Sequence, residues 1–218
     1  PRQALSGVAA AAAGRVGESM RVLEEVGSTV SPAFSAGVQA IRHGWYDLDR
    51  DLRLRLGTRK PVVQPRLCVL LTRALCPGGD WARIVDALAE AGVDMVQLRE
   101  KSCSDGELLR HAEVVRSKLP SSTRLVINDR VAVAATLGLD VHLGREDLPT
   151  LAARQILGRD AQIGRSTSGL AEAQQAVAEG ADLVGVGPMF VSATKDKPPV
   201  GPAAVGLVAS AGIPHLAI

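Results

Sequence analysis

Through residues 66–218 the chain repeats one pattern, a short apolar run rich in β-branched residues, then a stretch with helical spacing, then a turn marked by glycine or proline. Seven such runs occur: Leu67 to Leu71, Met95 to Leu98, Leu125 to Ile127, Val141 to Leu143, Gln162 to Gly164, Leu183 to Val186 and Leu216 to Ile218. Helical spacing fills Trp81 to Ala91, Gly106 to Leu119 and Leu170 to Ala178 between them. Strands separated by helices need crossover connections, so they pair in parallel and are covered by those helices. The pattern predicts an α/β fold, a TIM (β/α)8 barrel that is C-terminally incomplete with seven strands, because a complete barrel runs to about 250 residues. An open doubly wound sheet is the alternative arrangement.

Residues 1–57 read differently. Val16, Met20, Leu23, Gly27 and Val30, then Phe34, Val38, Ile41, Trp45, Leu48 and Leu52, form two amphipathic stripes and predict an antiparallel helical pair. Ser31-Pro32 separates them, with Ser31 as N-cap and Pro32 at the first helical position. The Ala-rich stretch from Gln3 to Ala13 predicts a further helix. Residues 58–65, with prolines 61 and 65, read as a linker between this small all-α domain and the barrel of residues 66–218.

Composition narrows the function. The formal charge is +2 with no basic run, and Phe34, Trp45, Tyr46, Trp81 and Phe190 are the only aromatic residues, which excludes a nucleic-acid interface built on charge and base stacking. A small-molecule partner follows, with homo-oligomerisation left open. Cys68, Cys76 and Cys103 are odd in number and lack zinc-site spacing. No apolar run reaches the ~20 residues that span a bilayer, so a cytoplasmic location with no membrane partner is expected. A chain that begins at Pro1 and stops at Ile218 within an apolar run reads as part of a longer one.

Barrel active sites lie past the C-terminal ends of the strands. After the second run comes Gln97-Leu98-Arg99-Glu100-Lys101, whose two-residue period puts Gln97, Arg99 and Lys101 on one face, a cationic arm suited to phosphate; the alternative is an ion-pair network with Glu100 at the mouth. Asn128-Asp129 follows the third run, and His142-Leu143-Gly144-Arg145-Glu146-Asp147-Leu148-Pro149 ends the fourth. Asp129 and Asp147 together suit a hard cation such as Mg²⁺; singly, Asp129 is a turn residue and Asp147 a helix cap. Ser166-Thr167-Ser168-Gly169 either caps the next helix through Ser168 or accepts a phosphate. Gly187-Pro188-Met189-Phe190-Val191-Ser192-Ala193-Thr194-Lys195 supplies hydroxyls and a lysine on a loop. His142 is expected to be a supporting, hydrogen-bonded group and His111 a surface residue of its helix.

In order and spacing, Gln-Leu-Arg-Glu-Lys at 97–101, Asn-Asp at 128–129, the segment 142–149 and the segment 187–195 resemble thiamine phosphate synthases. The resemblance implies that Gln97, Leu98, Arg99, Glu100, Lys101, Asn128, Ser166 and Lys195 hold an aminopyrimidine methyl diphosphate, with Asp129 and Asp147 as Mg²⁺ ligands and Mg²⁺ the cofactor. Ser192, Ala193 and Thr194 would bind a thiazole phosphate. The implied reaction is dissociative: pyrophosphate leaves, a pyrimidine methylene cation forms, and the thiazole nitrogen captures it. Arg99, Lys101 and Lys195 would act catalytically by stabilising charge on the departing diphosphate. The chain has Arg145 where the family usually has glutamine and Ser192 where it usually has threonine. A thiazole tautomerase or a non-catalytic regulatory relative on the same barrel is the alternative, one that needs neither both aspartates nor the cationic arm.

Residues 15–46, through Glu18, Arg21, Glu24, Arg42 and His43, resemble a helical domain fused ahead of such synthases and associated with a hydroxymethylpyrimidine phosphate kinase. The same charges could instead pair along a solvated helix face.

Overall fold

The structure, a computed structural model, describes residues 5–56, 64–191 and 198–218. The chain divides into two compact units, Pro1–Lys60 and Pro61–Ile218. Most of the expected linker, residues 58–63, lies outside the described residues.

The first unit is a helical hairpin of α1 (Leu5–Ser28) and α2 (Pro32–Leu56). The expected separate helix over Gln3 to Ala13 is not found. α1 continues unbroken because Gly14-Arg15-Val16-Gly17 contains no proline and is flanked by strong helix formers. Ser31 Oγ accepts from the Phe34 N–H at 3.3 Å at the start of α2, as a cap should. Across the hairpin Arg42 Nε donates to Glu24 Oε2 at 2.7 Å, with both side chains about four-fifths buried, and Trp45 Nε1 donates to Ala13 O at 3.4 Å. Arg21, in contrast, meets Glu18 and Glu25 at 3.9 and 3.7 Å on an exposed face.

The second unit holds seven parallel strands in sequential order: β1 (Cys68–Leu71), β2 (Met95–Leu98), β3 (Arg124–Asn128), β4 (Asp140–Leu143), β5 (Ile163–Thr167), β6 (Leu183–Val186) and β7 (His215–Ala217). Helices α3 (Trp81–Glu90), α4 (Asp105–Lys118), α5 (Val131–Leu137), α6 (Thr150–Leu157), α7 (Leu170–Ala178) and α8 (Ala203–Ala209) follow β1 to β6 in turn. A doubly wound sheet reverses its strand order at a switch point; this one never does, which settles the fold as a TIM-like barrel with β1 and β7 at the ends of the ladder.

The pleat sorts the side chains. Val96, Leu98, Ile127, Val141, Leu143 and Ile163 point outward and pack with Val85, Leu108, Ala112, Val115, Val131 and Ala134 of the helices, all less than a tenth exposed. The alternate positions point inward, where Met95, Val126 and Leu183 form a small apolar cluster. Beside it, Arg124 Nε donates to Asp140 Oδ2 at 2.8 Å, and the Gln162 N–H donates to Asp140 Oδ1 at 2.7 Å. The Arg154 guanidinium of α6 pairs with Asp182, which also accepts from the Ile163 N–H at 2.9 Å. That anchoring starts β5 one residue later than expected, and pairing of Ser166 with Gly185 and of Thr167 with Val186 carries it further. No helix among the described residues is long and apolar enough to cross a membrane.

Arg154 and Asp182 are both nearly inaccessible. Asp182→Ala leaves the guanidinium buried without its carboxylate and is predicted to destabilise the barrel by about 3–5 kcal/mol, read as a lower midpoint in urea unfolding followed by Trp81 fluorescence in a Trp45→Phe background.

Candidate functional site

Inward-facing residues at the C-terminal ends of the strands enclose a cavity of about 330 Å³. β2 delivers Gln97 and, beyond it, Arg99 and Lys101; β3 delivers Asn128 and Asp129; β4 delivers His142, Gly144 and Asp147; β5 delivers Ser166; β6 delivers Gly185, Gly187 and Pro188. Asp129 takes φ +64°, the left-handed region that short polar residues tolerate best, and its N–H donates to His142 O at 2.8 Å. This twist ends β3 abruptly and brings the carboxylate beneath Lys101, whose Nζ lies 3.1 Å from Asp129 Oδ2.

Asp147 belongs to the same acidic pair. Its carboxylate accepts from the Gly144 N–H at 2.6 Å, so the 144–147 segment folds back on itself. Burial, and then a hydrogen bond and repulsion from the neighbouring Asp129 carboxyl, raise its pKa above the ordinary carboxylate value, opposed by the Gly144 N–H and by Lys101. Two carboxylates this close, one partly desolvated, form an oxygen donor set with excess negative charge, which fits a small divalent cation. Asp147 is not the cap of α6, because that position falls to Pro149.

His142 is the supporting, hydrogen-bonded group expected from its place beside the strand. The ring is buried, lines the cavity, and places Nε2 3.1 Å from Ser166 Oγ. A Cβ on Gly164 would lie 2.5 Å from His142 Nδ1, so only glycine there leaves room for the imidazole. The signal was in the sequence: Gly164 and Ser166 share the inward face of β5, as Asp140 and His142 share that of β4. Ser168 does not cap α7 with its hydroxyl; its N–H and Oγ both donate to the Glu172 carboxylate, at 2.7 and 3.1 Å. Arg145 Nη1 reaches the same carboxylate at 2.8 Å, outside the cavity.

Of the residues singled out in the sequence, Gln97, Arg99, Lys101, Asn128, Asp129, Asp147 and Ser166 meet in this one cavity. Leu98 and Glu100 do not, because the pleat turns both side chains outward: Leu98 is fully buried against the helices, and the Glu100 side chain is 8% exposed. Any contact they make with a ligand runs through the backbone. Ser192, Ala193, Thr194 and Lys195 lie outside the described residues.

Glu100 has its own surroundings. Its Oε1 accepts from the Arg73 N–H at 2.8 Å and lies 3.4 Å from both Arg73 Nε and His111 Nδ1. His111 was expected at the surface, but its side chain is 2% exposed and packs edge-on against Trp81, with ring centroids 4.2 Å apart. The helical period gives one apolar face to α4, and His111 falls on it with Leu108, Ala112 and Val115. Burial, assisted by the charge of Arg73, lowers its pKa to about 4.

Comparison with known proteins places this site in context. Residues 67–218 match the family model described as thiamine monophosphate synthase, and residues 1–51 match the ThiD2 family. Curated proteins named thiamine-phosphate synthase are similar: 40% identity over 201 residues in Prochlorococcus marinus (strain MIT 9313), covering 89% of this chain and 57% of that protein, and 39% over 208 residues in Thermosynechococcus vestitus, covering 94% and 57%. The chain thus spans just over half the length of these relatives. Thiamine phosphate pyrophosphorylase from Pyrococcus furiosus superposes with a TM-score of 0.56 at 25% identity, covering 72% of this chain and 86% of that structure.

The buried imidazole makes a pH prediction. Unfolded His111 binds a proton near pH 6.5 and folded His111 only near 4, so between these values the unfolded state holds more protons and stability falls as pH is lowered. The thermal midpoint is predicted to drop from pH 6.5 to 4, and to drop less steeply in His111→Phe, with Glu100 and Arg73 as the charged groups facing the ring.

Proposed function

Because the chain belongs to the thiamine monophosphate synthase family, we propose that its barrel binds the pyrimidine methyl diphosphate as a magnesium complex and joins the pyrimidine to a thiazole phosphate, giving thiamine phosphate and pyrophosphate in thiamine biosynthesis. The observation that carries this reading is the meeting of Arg99, Lys101, Asp129 and Asp147 in one cavity at the strand ends. A tautomerase or a regulatory protein has no use for a cationic arm set against a carboxylate pair.

Mg²⁺, which fits the Asp129 and Asp147 oxygens, would neutralise charge on the diphosphate. The remaining work falls to the chain's own residues. Arg99 and Lys101 offer charged donors on one side of the cavity, where they stabilise the negative charge that grows on the leaving diphosphate oxygen as the carbon–oxygen bond breaks. The electron pair leaves with that oxygen, and the thiazole nitrogen supplies the pair for the new carbon–nitrogen bond. Gln97 and Asn128, inward neighbours of the arm, supply amides for the pyrimidine edge, and His142 holds Ser166 in place. Lys195 is assigned to the diphosphate and Ser192, Ala193 and Thr194 to the thiazole phosphate on the family resemblance alone. No side-chain nucleophile is required. The ThiD2 match supports reading the helical unit as part of a hydroxymethylpyrimidine phosphate kinase-like domain, with Glu24 and Arg42 as its partly buried charge pair.

Pyrophosphate release, assayed with both substrates and Mg²⁺, tests the proposal. Asp129→Asn and Asp147→Asn are each predicted to lower kcat/KM at least about a hundredfold, the size of effect typical for removing one electrostatic contact to a transition state. Release that ignores both substitutions, or that needs no thiazole phosphate, contradicts the assignment.

A further inference from the structure

The outward-facing side of the cationic arm carries a group that the reaction does not touch. Leu98 and Glu100 alternate with Arg99, and at an outward position of a barrel strand an apolar residue is the rule. A carboxylate that is 8% exposed there needs compensation, since burying an unpaired charge costs several kcal/mol. Among the described residues that compensation comes from two neighbouring segments. Arg73, in the loop after β1, gives its N–H at 2.8 Å and its guanidinium at 3.4 Å; His111, from α4, brings Nδ1 to 3.4 Å.

The peptide around Arg99 is tied down as well. Its N–H donates to Leu71 O at 2.8 Å, and its carbonyl accepts from Thr72 Oγ1 at 2.8 Å. Glu100 therefore closes a clamp in which Leu71 at the end of β1 and Thr72 and Arg73 of the loop after it hold the arm at three points. His111 forms the back of the clamp, seated against Trp81. Neither of its ring nitrogens has a hydrogen-bond partner among the described residues, although buried polar atoms are nearly always paired. Glu100 Oε1 is the acceptor within reach of Nδ1, and a shift of a few tenths of an ångström completes the bond.

We propose that Glu100 and His111 are positioning residues, which fix the depth and direction at which Arg99 and Lys101 enter the cavity. The assignment rests on the diphosphate reading of the site. It separates two roles within one five-residue motif: inward residues contact the ligand, and the outward carboxylate holds them in place.

Charge and geometry predict opposite outcomes, which makes the idea testable. Removing a negative charge beside a phosphate site should by itself tighten anion binding. Loss of affinity on removing Glu100 therefore reports lost positioning. The experiment is calorimetric titration of the chain with magnesium pyrophosphate, with thermal midpoints measured alongside. Glu100→Ala is predicted to weaken binding at least about tenfold, as expected for loss of a hydrogen bond to a charged group. Glu100→Gln, which keeps an acceptor for the Arg73 N–H, should stay within about threefold of the parent, and His111→Phe, which keeps the packing on Trp81, should fall between the two. Equal or tighter binding by a folded Glu100→Ala overturns the positioning role alone. If Glu100→Ala does not fold, unchanged affinity in His111→Phe overturns it instead. A parent chain that binds no magnesium pyrophosphate sinks the functional reading together with this one, and so is distinguished from failure of the clamp.

Discussion

The two-residue pleat of parallel strands decides where everything else in the barrel goes. Each strand delivers alternate side chains to helices outside and to a narrow interior within, so the outward row must be apolar and the inward row small, or polar and satisfied. Val96 and Leu98 meet the helices while Met95 and Gln97 face inward; on β5, Ile163 packs outward while Gly164 yields its space to His142. One residue of slip in any strand would exchange these rows. The cavity exists because the last inward positions of β2 to β6 are Gln97, Asn128, His142, Ser166 and Gly185, polar or glycine, while apolar Leu70 and Ile218 line its sides at the two ends of the ladder.

Charge at the mouth is balanced in layers. Lys101 faces Asp129, Asp129 faces Asp147, and Asp147 leans on the Gly144 N–H, so positive and negative groups sit side by side in a partly desolvated space. A ligand carrying both signs, an anionic diphosphate with its cation, satisfies both halves at once. Behind the arm a second layer, Arg73, Glu100 and His111, is closed off from the cavity. Among the described residues the two layers meet at the backbone of residues 99–101, so the outer one can act on the inner one through geometry.

Much of this was legible in the sequence. β2, β6 and α7 fall where the apolar runs and helical spacing place them, because both ends of each are marked by a change of period or a turn residue. The strand-end rule brought seven of the singled-out side chains into one cavity. What it could not separate was side from side: a five-residue motif reads as a single ligand-binding unit, yet its second and fourth residues turn outward. His111 was misplaced for a related reason. Helical spacing shows which residues share a face, and a histidine among leucines and valines is polar by type but buried by position. Asp129 and Asp147 do lie side by side in the cavity, while the device that joins them, a positive φ at one and a backbone N–H at the other, depends on a local fold that no spacing displays.

The claim that this cavity holds a metal-bound diphosphate is tested most directly by a crystal structure with Mn²⁺ and pyrophosphate, with the metal located by anomalous scattering. The account predicts a peak bonded to Asp129 and Asp147 oxygens, with pyrophosphate bridging from the metal to Arg99 and Lys101. A metal peak away from both aspartates, or pyrophosphate bound outside the cavity, would contradict it.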